Sequence, residues 1–195
     1  MARIRLSLFF PVAAAFALTL GGCLDFERMT LRYEVRENLE GRLIVSVLGV
    51  HSAAKDAGTR EKEFREFVEK GYLKDGDEMA RKFGLVRSKV VLMNTTESRT
   101  DVRLEGEFER VVSALGLLTE EGDFEIEKKG GRLSVVIRRS PEKPWSDIPA
   151  VLFLRYEGEI LGHNAHRYEK ESKTLTWDLR KMKGESLEFV LAPSK

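Results

Sequence analysis

The chain has 195 residues, with 33 Lys and Arg against 32 Asp and Glu and a formal charge of +1. So even a mixture of charge removes the basic field that nucleic-acid binding needs, and no nucleic-acid partner is expected. One cysteine and three histidines supply neither a disulfide framework nor a recognisable zinc spacing.

The chain begins as an export signal does. Arg3 and Arg5 form a short basic start, residues 6–20 (LSLFFPVAAAFALTL) carry no charge, and Gly21 and Gly22 supply small residues before Cys23. The apolar run of 15 residues is short of the roughly 20 that a spanning helix needs. Leu20-Gly21-Gly22-Cys23 resembles the lipobox of bacterial lipoproteins, in which a leucine and two small residues precede an acylated cysteine. The resemblance implies diacylglycerol on the Cys23 sulfur, cleavage between Gly22 and Cys23, and a membrane anchor of two or more acyl chains. Cleavage leaves 173 residues with 31 basic and 32 acidic side chains, because the signal removes two arginines and no acid. The expected layout is a signal peptide over 1–22, an acylated Cys23 with a short tether over 23–28, and one domain over 29–195.

In MTLRYEV, the residues Met29, Leu31, Tyr33 and Val35 alternate with polar neighbours, the period of a half-buried strand. ENLEG turns the chain into RLIVSVLGV, where Leu43, Val45 and Val47 alternate again, so the pair reads as an antiparallel hairpin. A helix capped at Thr59 follows, with Phe64, Phe67, Val68 and Tyr72 on its apolar face and Glu61–Arg65 and Glu66–Lys70 on its wet one. Gly71 ends or loosens it, and a second short helix starts at Asp75 or Asp77 and runs to Phe83. LVRSKVVLM and RTDVRLEGE read as strands around the turn NTTES, with Val102 and Leu104 inward. The period then turns helical through Phe108, Val111, Val112 and Leu115. DFEIEKKGGRLSVVIRRS is a hairpin turning at KKGG, and SPEKPWSDIPA is too proline-rich for regular structure. VLFLRYEGEI, KTLTWDL and SLEFVLA close the chain as strands around a turn at HNAH. Strands joined by short turns predict an α+β domain: a mostly antiparallel sheet of hairpins with two to three helices packed on it.

With these elements in place, the mature chain resembles the LppM-type envelope lipoproteins. The likeness is carried by the cysteine anchor, the amphipathic first strand, the strand–helix–strand order, and the G-x-I…TLTW…LEFVLA pattern from Gly158 to Ala192. It implies an α+β, lipid-associated fold that binds envelope glycolipids. Many members continue into a C-terminal membrane helix, whereas this chain stops at APSK.

No catalytic signature is present: there is no G-x-S-x-G, no Walker A and no G-x-G-x-x-G. His163 and His166 lie three apart in GHNAHRY, but Gly162 and Asn164 make the segment a polar turn, and two ligands specify no metal site. Asp75-Gly76-Asp77-Glu78 lacks the register of a calcium loop and reads better as a capped helix start. No metal and no cofactor is therefore expected. Trp145, in its proline-rigid loop, is either a binding lip at the membrane interface or a plug over the core. Phe64 and Phe67 either cover the sheet or border a cleft for an acyl chain. Trp145, Phe64 and Phe67 are thus the candidate ligand or partner contacts. The expected function is that of a non-catalytic, lipid-anchored envelope lipoprotein binding a lipid, a glycolipid or another apolar component. The alternative is a structural or assembly lipoprotein docked on an envelope protein complex, with a hydrolase third. Leu24 after the anchor, in place of Asp, favours the outer membrane if the cell has two.

Overall fold

The structure, a computed structural model, describes residues 24–118, 124–139, 144–182 and 186–194. The expected signal peptide, the Gly22–Cys23 cleavage position and the lipidation residue Cys23 lie outside the described residues. Strands β1 (Leu24–Asp25), β2 (Arg28–Val35) and β3 (Gly41–Ser52) come first. Helical turns α1 (Ala57–Glu66) and α2 (Tyr72–Lys82) flank a π-helical segment, Phe67–Gly71. Then follow β4 (Leu85–Met93), β5 (Thr100–Phe108), the short α3 (Val111–Leu115), β6 (Phe124–Lys129) and β7 (Arg132–Arg138). The remaining strands are β8 (Ala150–Tyr156), β9 (Glu159–His163), β10 (Arg167–Glu169), β11 (Thr174–Asp178) and β12 (Ser186–Ala192).

The expected single sheet is two. An eight-stranded sheet has the order β10-β11-β8-β2-β3-β5-β4, with β1 added against β3, and a four-stranded sheet has the order β6-β7-β12-β9. Pairings are antiparallel except that β8 runs parallel to β2, Met29 opposite Ala150. The Pro144–Pro149 segment carries the chain back to the end where β2 starts, so the next strand must run the same way. VLFLRYEGEI, which reads as one strand, breaks at Glu157-Gly158: β8 lies in the large sheet and β9 in the small one.

Alternation decides which face is covered. Leu31, Tyr33, Leu43, Val45, Leu104, Leu152, Leu154 and Trp177 are each at most 1% exposed on one face of the large sheet. The small sheet meets them with Leu133, Val135, Ile137, Leu187 and Phe189, and all belong to a single core cluster. Trp177 and Phe189 join the layers, their ring centroids 6.1 Å apart. Asn164, in the turn after β9, fastens the same junction. Its Oδ1 accepts from Trp177 Nε1 at 3.0 Å and from Glu188 N at 3.0 Å, and its Nδ2 donates to the Ser186 carbonyl at 2.9 Å. Near α3, the buried Tyr33 hydroxyl donates to the Ala114 carbonyl at 3.1 Å.

Helices are fewer than the sequence predicts. The two expected before residue 84 are one continuous helical run, Ala57–Lys82, and the third shrinks to Val111–Leu115 because Phe108 is drawn into β5. Asp75 and Asp77 therefore lie inside α2 rather than at a helix start, and Asp75 is buried. The π-helical segment holds Phe67 and Gly71 on the buried side, and one extra residue per turn is what re-phases the apolar stripe there. Gly76 lets α2 sit directly on β4: a Cβ at that position would lie 2.1 Å from Val90 Cγ2. The start of α1 is capped by Asp56, whose carboxylate accepts from Thr59 N at 2.7 Å, so the cap lies three residues before the expected Thr59.

Candidate functional site: a groove beside the N-terminal strand

The expected tether is corrected by β1. Leu24 pairs with Ser52 and Asp25 with His51, so the chain is held in the sheet from its first described residue. The strand can form because β3 is long and continues past a bulge between Val47 and Val50. Gly49 makes that bulge with φ of 69°, a conformation glycine adopts without a Cβ penalty. Its N–H donates to Asp101 Oδ1 at 2.8 Å, while Asn94 Nδ2 donates to Asp101 Oδ2 at 2.7 Å. The hydrogen bonds from Asn94 and Gly49 hold the Asp101 carboxyl below the ordinary carboxylate range.

Around this bulge lies an open groove of about 1020 Å³. One wall is α1 with the start of the π-helical segment, contributing Arg60, Glu61, Phe64, Arg65 and Val68. The other wall is the β4–β5 turn, with Thr96, Glu97 and Arg99, and the floor includes Glu27, His51 and Ser52. Arg99 holds Glu27 through both ends of its guanidinium, at 2.8 and 3.1 Å, tying the turn to the segment after β1. Arg60 Nη1 donates to the carbonyls of Ala54 and Lys55 at 3.3 and 3.1 Å. Arg65 pairs with Glu61, and the Ser52 hydroxyl donates to Glu63. His51 Nδ1 lies 2.7 Å from the Gly49 carbonyl; a carbonyl only accepts, so this nitrogen carries the proton. The groove therefore combines a small apolar base with guanidinium and carboxylate groups in near balance, and it suits a polar molecule of little net charge with a short apolar portion.

The sequence-selected contacts divide. Phe64 is 4% exposed but lines the groove. Phe67 is fully buried, edge-on to Tyr72 at 6.4 Å, and belongs to the core. Trp145 is 1% exposed, with the Arg139 guanidinium 5.5 Å from its ring centroid, so it is a core plug and not an exposed lip. His163 and His166 are both exposed and have different partners: His163 packs against the Tyr168 ring at 5.3 Å, and His166 Nδ1 accepts from Asp178 N at 3.2 Å. Among the described residues, no group of three or more His, Cys, Asp and Glu is placed to hold a metal. No helix of the described residues is long and apolar enough to cross a membrane. Val68 lies on the apolar helix face that the sequence already marks with Phe64, but Arg60, Arg99 and Glu27 escaped the sequence reading because they come from three separate segments, each an ordinary solvated surface in one dimension. The nearest signal was the charged face of the helix over 60–72.

No family model matches the chain, and no curated protein matches it. Among solved structures, the chain is similar to the NMR structure of the folded domain of LppM from Mycobacterium tuberculosis. The identity is 7% and the TM-score 0.46, over 88% of this chain and 93% of that one.

Proposed function

We propose that this chain is a non-catalytic, lipid-anchored lipoprotein of the bacterial cell envelope whose groove beside α1 receives the polar end of an envelope lipid or glycolipid. One observation carries the reading: the groove joins Phe64 and Val68 to Arg60, Arg65 and Arg99, and it lies beside Leu24, which follows the acylation residue directly. Its near-balanced charge favours a hydroxyl-rich or zwitterionic headgroup over a strongly anionic one. The packed core leaves the acyl chains in the bilayer while the headgroup enters the groove. Leu24 after the anchor, in place of Asp, favours the outer membrane in a cell with two membranes.

Lipid extraction and mass spectrometry of the purified protein, with thermal shifts on adding envelope lipids, test the reading. An Ala57→Trp variant fills the groove from the exposed start of α1 without touching the core. A co-purifying lipid lost in that variant supports the proposal; no lipid and no thermal shift in the parent protein sinks it.

A second reading, docking on an envelope protein complex, is favoured by β4. Among the described residues this strand pairs only with β5, so its other edge is unpaired; Val90 and Leu92 pack toward the core, and Val91 and Met93 are half-buried on the alternate face. An unpaired apolar edge is a template for strand addition by a partner. The bulge between Val86 and Lys89, where Arg87 has φ of 50°, leaves Lys89–Met93 as the regular half of the strand. Photo-crosslinking from Val91 in cells distinguishes the two: recovery of one protein partner favours docking, and recovery of lipid alone counts against it.

A further inference from the structure

We infer that the domain stands on the membrane by one defined end, with the loops Ala53–Asp56 and Asn94–Arg99 held against the lipid headgroups. The inference rests on acylation of Cys23, proposed above, and adds an orientation that anchoring alone does not give. A free tether from Leu24 to Arg28 would let the domain move and turn within roughly 17 Å of its anchor. The structure leaves no such length. Leu24 is opposite Ser52 and Asp25 opposite His51, so Cys23 is joined by a single peptide bond to a residue already in the sheet.

The strand directions then sort the molecule into two ends. Arg28 of β2 pairs with Leu48 and Thr100 of β5 with Val50, which puts the β4–β5 turn at the end where β1 enters. β8 starts there too, because Ala150 is opposite Met29, and β11 finishes there, because Asp178 is opposite Val151. Hydrogen bonds hold the end together: Arg99 grips Glu27, Arg180 Nη2 donates to the Glu27 carbonyl at 3.3 Å, and Met29 N donates to the Pro149 carbonyl at 2.9 Å. The opposite end carries the β2–β3 turn, the Gly130-Gly131 turn and the turn around Lys170–Lys173. The groove lies at the anchored end, between α1 and the Asn94–Arg99 turn. Its mouth thus meets the headgroup layer directly, and the opposite end points away from the bilayer.

The test uses the full-length, exported protein reconstituted in phosphatidylethanolamine–phosphatidylglycerol vesicles. Acylation consumes the one native thiol, so a single introduced cysteine takes a fluorophore uniquely. Lys55→Cys and Ser98→Cys report the anchored end; Lys129→Cys and Lys170→Cys report the other, all four at exposed positions. A nitroxide on the lipid headgroup should quench the first pair severalfold more than the second. Inserting about ten Gly and Ser residues between Cys23 and Leu24, a coil of roughly 17 Å, should bring the two pairs toward equality. Intact mass read on the same samples separates the failures. An acylated protein quenched equally at both ends without the insertion overturns the orientation while leaving the anchor standing. An unacylated mass overturns the anchor reading and the orientation with it.

Discussion

Replacing Asp101 by Ala should loosen the end of the domain that carries the groove. The carboxylate is 9% exposed and accepts from Gly49 N at 2.8 Å and from Asn94 Nδ2 at 2.7 Å. One contact fixes the β3 bulge and the other fixes the β4–β5 turn, so a single side chain sets both sides of the site. Removing it leaves the Gly49 N–H without its acceptor and strips a charge-assisted bond from Asn94. With roughly 1.5–3 kcal/mol for a hydrogen bond to a charged group, and the Asn94 end partly wet, the loss should be about 3 kcal/mol at pH 7. For a domain of this size each kcal/mol moves Tm by about 2–4 °C, so Tm should fall by about 6–12 °C. Asp101→Asn retains an acceptor for Gly49 and should lose about half as much. The sign of the pH dependence follows from the lowered Asp101 pKa. Its stabilisation is complete above the unfolded value of about 3.9 and is lost as pH falls through the lower folded value. Thermal denaturation of the parent and the Ala variant from pH 7 down to pH 3 measures both effects. A variant within about 2 °C of the parent at pH 7, or a gap that stays the same at pH 3, would refute the reasoning.

Tyr33→Phe should cost about 1 kcal/mol at neutral pH by removing the bond to the Ala114 carbonyl. Burial raises the Tyr33 pKa, so its contribution is intact below the unfolded value of about 10 and falls as pH rises above it. Alkaline denaturation should therefore begin near pH 10 and be shallower in the Phe variant by up to about 1.4 kcal/mol per pH unit; Tyr156, raised mainly by burial, leaves a residual slope. Gly76→Ala places a methyl 2.1 Å from Val90 Cγ2 and should destabilise by about 1–3 kcal/mol despite alanine's better helix propensity. Adding Val90→Ala should recover part of that loss, and urea titration of the double-mutant cycle reads the coupling. Asn164→Ala should leave the buried Trp177 N–H without its acceptor, at a cost of about 1–3 kcal/mol, with a changed tryptophan emission as a second readout.

What the sequence by itself determined is the set of local periods. Alternation in MTLRYEV, RLIVSVLGV and RTDVRLEGE marks strands whose inward residues are the buried ones, because a strand with one covered face must place apolar side chains at every second position. The turns at ENLEG, NTTES and KKGG follow from residue chemistry acting over four or five positions. The tertiary structure alone decided how these strands were shared between two sheets. VLFLRYEGEI has the same apolar pattern whether or not Glu157-Gly158 turns it into a second layer, and parallel pairing of β8 with β2 joins residues more than a hundred positions apart. Helix 57–82 is continuous although Gly71 looks like a breaker in one dimension: Gly71 is buried within the π-helical segment, and Gly76 lets the helix press onto Val90. The same reason governs the site. Phe64 was visible on its helical stripe, yet the groove exists only because Glu27, His51, Arg60 and Arg99 converge from the segment after β1, from β3, from α1 and from the β4–β5 turn. No single segment carries that convergence. Leu24 makes the point most economically: beside Cys23 it reads as the first residue of a tether, and only its pairing with Ser52 makes it the first residue of the fold.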